Sequence, residues 1–85
     1  RYFVRSYDLC ITGADAGTDI TAILKDGTTA KHTIVIGAGS PRGYFVEKDF
    51  GDSPLECTNV TAVNVAVIAG GAGVITICNI HGFVE

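Results

Sequence analysis

Ile20-Thr21-Ala22-Ile23-Leu24-Lys25-Asp26-Gly27-Thr28-Thr29-Ala30-Lys31-His32-Thr33-Ile34-Val35-Ile36 is the stretch whose reading decides the fold. β-Branched residues crowd both halves, and successive side chains of a strand point to opposite faces, so Ala22 with Leu24 and Ile34 with Ile36 fall on one side. Between the halves, Asp26-Gly27 tolerates the positive φ that a tight reversal demands. The pattern predicts two antiparallel strands, Ile20–Lys25 and Thr29–Ile36, with those four apolar residues in a core.

The same rhythm runs outward in both directions. Further strands are predicted near Tyr2–Ile11, Gly43–Val46, Asn59–Ile68 and Gly73–Ile80, while helix-period spacing is nearly absent. Tyr7, Leu9 and Ile11 share one face of the first strand. Late in the chain, Gly70-Gly71-Ala72-Gly73 should reverse the backbone into a second hairpin, with Val63, Val65 and Val67 opposed by Ile75 and Ile77 and Asn64 turned outward. Gly37–Gly43 and Phe50–Pro54 read as loops, and no internal repeat is visible. Short strands separated by turns make an all-β, antiparallel β-sandwich or a barrel the expected fold, with residues 1–85 forming a single domain.

With 47% hydrophobic and 18% charged residues, the chain is far from the composition of disordered segments and should bury a core. Arg1, Arg5, Lys25, Lys31, Arg42 and Lys48 never cluster, and the net charge of −3 supplies no basic field for nucleic acid or anionic lipid. No run of apolar residues is long enough to cross a membrane as a helix. The start at Arg1 fits a processed chain and an excised fragment equally well. Two features point to a secreted protein: the Asn59-Val60-Thr61 triplet is an N-glycosylation sequon, and three cysteines in so short a chain suggest one stapling disulfide and one spare thiol. Spacing alone leaves all three pairings of Cys10, Cys57 and Cys78 open.

Catalytic patterns are weak. A phosphate-cradling reading of Gly37-Ala38-Gly39 needs a helix directly after the glycines, and Pro41 followed by Tyr44-Phe45-Val46 denies one. His32 and His81 are the only ordinary bases and neither sits in a supporting constellation, so no enzyme is expected. Cys57, Cys78 and His81 lack the paired short spacings of a zinc site. Calcium has the better claim, because Asp15-Ala16-Gly17-Thr18-Asp19 gathers carboxylates and carbonyls on a short loop, and Asp49 and Asp52 could approach from another. The competing expectation is a turn whose Asp side chains cap backbone amides.

Thr12-Gly13-Ala14-Asp15-Ala16-Gly17-Thr18-Asp19 followed by a strand resembles the "TG…AGTD" signature of PLAT/LH2 domains, the β-sandwich modules of lipoxygenases, lipases and plant stress proteins. Gly43-Tyr44-Phe45-Val46-Glu47-Lys48-Asp49-Phe50 is similar to the "NYFERGNLDLF"-like segment of the plant members. Cys57 and Ile75-Thr76-Ile77-Cys78-Asn79-Ile80 resemble their late cysteine pair and terminal strand. The likeness spans roughly residues 4 to 83, and the family's tryptophan would fall near Thr76 in a chain that has none.

What the resemblance implies is a non-catalytic, secreted sandwich that docks on lipid or protein surfaces in stress or defence, in some relatives with calcium. Gly17, Thr18 and Asp19 match the metal-binding loop, and Asp15 and Asp49 extend it. Cys57 and Cys78 would form the disulfide, leaving Cys10 free or linked to a second chain in a dimer. Two alternatives stand beside this reading. One is a small secreted effector, toxin or inhibitor that binds a protein target through loop 37–43 and its neighbours, with Pro41, Arg42 and Tyr44 at the contact. The other is a lectin-like or structural oligomer.

Overall fold

A computed structural model of the chain describes residues 1–58 and 63–85. The strands are β1 (Tyr2–Thr12), β2 (Ile20–Asp26), β3 (Thr29–Ile36), β4 (Phe45–Asp49), β5 (Leu55–Cys57), β6 (Val63–Ile68) and β7 (Ile75–Val84). All pairings are antiparallel, in two sheets. In the first sheet β1 is central, with β7 along one side and β4 and β5 end to end along the other. The second sheet has the order β3-β2-β6. Among the described residues no strand joins the two sheets, so the barrel alternative does not hold.

The deciding stretch folds as expected. β2 and β3 pair from Ile20 opposite Ile36 to Asp26 opposite Thr29, so the reversal consists of Gly27 and Thr28. Gly27 has φ +64°, the positive value that a type II′ turn requires at its first central residue. A register shift beyond Leu24 opposite His32 leaves Lys31 as an extra residue on β3. That bulge lets Lys31 reach solvent while His32, Ile34 and Ile36 keep facing inward.

Burial follows the alternation in β1 and β2. Tyr7, Leu9, Ile11, Ala22 and Leu24 are fully buried. One apolar cluster joins Leu9, Ile11, Ala16, Ile20, Ala22 and Ile36, and a second joins Val4, Tyr7, Leu24 and Cys57. Both draw on both sheets, so the two sheets share one interior. Val4 enters that interior because Arg5 is an extra residue between Val4 opposite Gly82 and Ser6 opposite His81. Without this bulge, strict alternation would place Val4 and Tyr7 on opposite faces.

The second predicted hairpin is corrected. β6 pairs with β2 and β7 pairs with β1, so the glycine-rich segment carries the chain from one sheet to the other. Ala69, Gly70, Gly71 and Gly73 all have positive φ, which turns the backbone out of the plane of β6 before β7 begins. As a result Thr76, Cys78 and Ile80 are half-buried on the inner face of β7, whereas Ile75 and Ile77 are 58% and 49% exposed on the outer face. Val63 and Val65 pack toward the core and Asn64 is exposed, as expected, but Val67 is exposed too. The predicted start of this strand at Asn59, with the sequon, lies outside the described residues. β4 starts two residues late and runs on to Asp49, and β5 is a strand that was not expected, directly after the Phe50–Pro54 loop.

The Cys57–Cys78 disulfide is corrected as well: all three cysteines are free. Cys57 sits opposite Tyr2 and Cys78 opposite Leu9, on different sides of β1. Seven residues along a strand span roughly 20 Å, and a disulfide requires Cα atoms within about 7 Å.

Candidate functional site

Three connections emerge at the Thr12 end of β1 and are tied to one another. They are 13–19 between β1 and β2, 37–44 between β3 and β4, and 69–74 between β6 and β7. Ala16 N–H donates to Ser40 O at 2.9 Å, and Gly39 N–H donates to Ala16 O at 2.8 Å. Gly17 N–H donates to Gly70 O at 2.9 Å, and Gly70 N–H donates to Thr18 Oγ1 at 3.1 Å. Gly43 N–H and Ile11 N–H lock the far end of the 37–44 loop onto β1, donating to Ile11 O and Tyr44 O. Backbone bonds on two sides of segment 13–19 tie the three loops into one platform.

The aspartates of the predicted metal loop belong to this bracing. Asp15 Oδ1 accepts the amide of Arg42 at 2.8 Å, and Asp19 Oδ1 accepts the amide of Ala38 at 2.8 Å. Both carboxylates therefore reach across to the 37–44 loop and set its path, the amide-capping role weighed from the sequence. Asp49 is not brought to them. It lies in β4 opposite Ser6, well away from Thr12, and its Oδ1 accepts the amide of Gly51 at 2.7 Å in a local turn. Among the described residues no group of three or more His, Cys, Asp or Glu side chains is placed to hold a metal ion.

Pro41, Arg42 and Tyr44 are all exposed on this platform, Arg42 directly over the Asp15 cap. Beside them an apolar rim crosses the outer face of the first sheet. Phe45, Cys10 and Ile77 occupy neighbouring strands at one level, and Ile75 stands opposite Thr12 at the next. Phe45, Ile75 and Ile77 are each about half exposed or more. The rim arises because outward positions of three strands are apolar at the same level, which a reading of single strands does not reveal.

Two polar groupings lie away from the loops. The hydroxyl of Tyr7, which is fully buried, is hydrogen-bonded to Nδ1 of His32 across the two sheets. Phe50 stacks on Tyr7 with ring centres 6.2 Å apart and meets His32 edge-on at 5.5 Å, while Lys48 Nζ lies 5.5 Å from the Phe50 ring centre. Burial pushes the Tyr7 phenol up to about 12, so it remains a donor. Burial, reinforced by the charge of Lys48, lowers the pKa of His32 and so favours its neutral ring. On the outer face of the first sheet, Asp8 is buried and takes hydrogen bonds from Asn79 Nδ2 at 3.0 Å and from His81 Nε2 at 3.2 Å. The sequence carried no signal for either grouping, because their hydrogen bonds join residues 25, 71 and 73 positions apart.

The His32 arrangement gives a pH prediction. An unfolded histidine titrates near 6.5, and the native one holds its proton less readily, so below about 6.5 the unfolded chain binds more protons and stability falls as pH falls. Melting temperature should therefore drop between pH 7 and pH 5. His32→Gln keeps an acceptor for Tyr7 without a titrating ring and should make that drop smaller. Equal drops in both proteins would show that another group causes the dependence.

Cys57 and Cys78 are poor nucleophiles where they sit. Burial raises both thiols, with Asp26 adding to the effect at Cys57 and Asp8 at Cys78. No family model matches the chain, and no curated protein or solved structure matches it. The chemistry of the described residues is thus the whole basis for a functional reading, and its most organised exposed feature is the loop platform with its apolar rim.

Proposed function

We propose that this chain is a non-catalytic, secreted β-sandwich module that docks on the surface of another protein through loop 37–44. The sandwich part of the reading is supported by two three-lane sheets that share both apolar clusters. The docking part is carried by one observation: the loop is held by Asp15, Asp19, Ala16 and Ile11 and presents Pro41, Arg42 and Tyr44 to solvent. A loop already ordered before contact loses little conformational freedom on binding. Arg and Tyr are also the residue types that most often dominate contact energies. The apolar rim of Phe45, Ile75 and Ile77 would extend the contact beyond the loop.

The PLAT/LH2 resemblance of residues 12–19 agrees with a docking module. Calcium, which that resemblance brings, would be an addition to a loop that its own hydrogen bonds already order. The test is a binding screen of the folded protein against a panel of extracellular proteins, repeated with the Arg42→Ala/Tyr44→Ala double variant. The double variant should keep its melting temperature and lose roughly tenfold or more in affinity, since each anchor contributes about 1–2 kcal/mol. Partners that all bind the double variant as tightly as the original would overturn the reading.

A further inference from the structure

The flank formed by β6 and β7 differs from the rest of the molecule. From Cys57 to Val84 the sequence has no Lys, Arg, Asp or Glu, so all six bases and all nine acids lie in residues 1–56 and at Glu85. β3 lies on the β4 side, because His32 meets Phe50, the residue after β4, edge-on at 5.5 Å, and this leaves β6 on the side of β7. Among the described residues β7 pairs only with β1, which leaves its other edge with a row of backbone donors and acceptors.

Exposed edges are normally blunted by charge, shortness or bulges. Of the other outer strands, β3, β4 and β5 follow this rule, while β6 is likewise uncharged but only six residues long. β4 has five residues and carries Glu47, Lys48 and Asp49; β5 has three and carries Glu56; β3 carries Lys31 at its bulge. β7 has none of these protections. It is ten residues long, with neither charge nor proline, and the one irregularity in its pairing is an extra residue of β1.

We infer that two copies of this chain associate by antiparallel pairing of β7 with β7 of the second copy. This inference stands independently of the docking function proposed for the loops. An antiparallel strand is complementary to itself about a two-fold axis, the commonest symmetry of soluble dimers. With the axis at Asn79, Ile75 meets Phe83 and Ile77 meets His81 on the outer face, while Thr76 meets Gly82 and Cys78 meets Ile80 on the inner one. No like charges meet anywhere along the pair. Full pairing forms about ten hydrogen bonds, the number an ordinary protein interface carries. A foreign partner would be selected by charge, and this edge offers none to select with.

The test is the mass of the protein in solution across a dilution series, with a reductant present so that a Cys10 disulfide cannot contribute. The original chain should have twice its 8.8 kDa mass at micromolar concentration and dissociate on dilution. Ile77→Lys, at an exposed outer-face position, puts a charge opposite His81 of the second copy on an otherwise uncharged edge and should weaken association about a hundredfold. Val35→Lys, on β3 at the opposite flank, should leave the dimer intact. Amide hydrogen exchange of the original chain adds a readout that needs no variant: protection of residues 75–84 should fall on dilution while that of β4 stays constant. A monomer at every concentration, a dimer indifferent to Ile77→Lys, or exchange in β7 indifferent to dilution would each overturn the inference.

Discussion

Gly82→Ala should unseat the last strand from the first sheet. Gly82 faces Val4 in the β1–β7 ladder, and a Cβ placed there would come within 2.1 Å of Phe3 O and 2.7 Å of Tyr2 Cε1. A backbone oxygen inside a ladder cannot step aside as a flexible side chain would. β7 must shift away from β1, loosening the stacked Phe3 and Phe83 rings and the Arg5 guanidinium that lies 4.9 Å from the Phe83 ring centre. Overpacking of this kind costs about 3 kcal/mol. For a domain of this size that corresponds to a fall of roughly 12–24 °C in melting temperature. A melting temperature within a few degrees of the original would mean that the two strands are not this close.

Gly13→Ala should loosen the loop platform and leave the sheets assembled. Gly13 has φ +83°, and a Cβ there would lie 2.4 Å from Gly73 O. Two costs add: about 1–2 kcal/mol for a side chain in left-handed backbone and about 1–3 kcal/mol for the overlap. Gly27→Ala separates them, because Gly27 has φ +64° with nothing within 4 Å of the added atom. The first variant should melt well below the second. Amides of residues 37–44 should exchange faster in Gly13→Ala only, since the bonds of Ala16, Asp15 and Asp19 to that loop depend on where segment 13–19 sits. Equal behaviour of the two variants would remove the argument that the three loops brace one another. If millimolar calcium restored the lost stability, the Asp15 and Asp19 carboxylates would be acting as metal ligands and not only as caps.

Much of the fold was legible in single strands. The Gly27 reversal, the inward faces of β1 and β2, and the loop character of 37–43 follow from alternation and turn chemistry, which act over a few residues. The misread part is the end of the chain. Ile75 and Ile77 looked like core because they are apolar and alternate, but the equally spaced Thr76, Cys78 and Ile80 turn inward. Choosing between the two faces of a strand that is apolar on both requires knowing which sheet it joins. The same holds for the glycine segment, whose composition suits a hairpin and a crossover alike. At the candidate site, Asp15 and Asp19 stood out in the sequence as candidate calcium ligands or amide caps, and the structure shows each capping a backbone amide. Their partners, the amides of Arg42 and Ala38, could not be found from spacing because they lie 27 and 19 positions away.

By itself, then, the sequence determined that this protein is built of antiparallel strands, where its tightest turn falls, and that its last third carries no charged side chains before Glu85. Those properties are local or compositional, and no other part of the chain can alter them. Tertiary structure alone decided that β6 and β7 go to different sheets, that the cysteines stay apart, and that the bulge at Arg5 brings Val4 and Tyr7 to the same side. It also made three separate connections into one platform. These outcomes depend on which distant strands share an interior, a choice settled by the packing of the whole core and not by any segment within it.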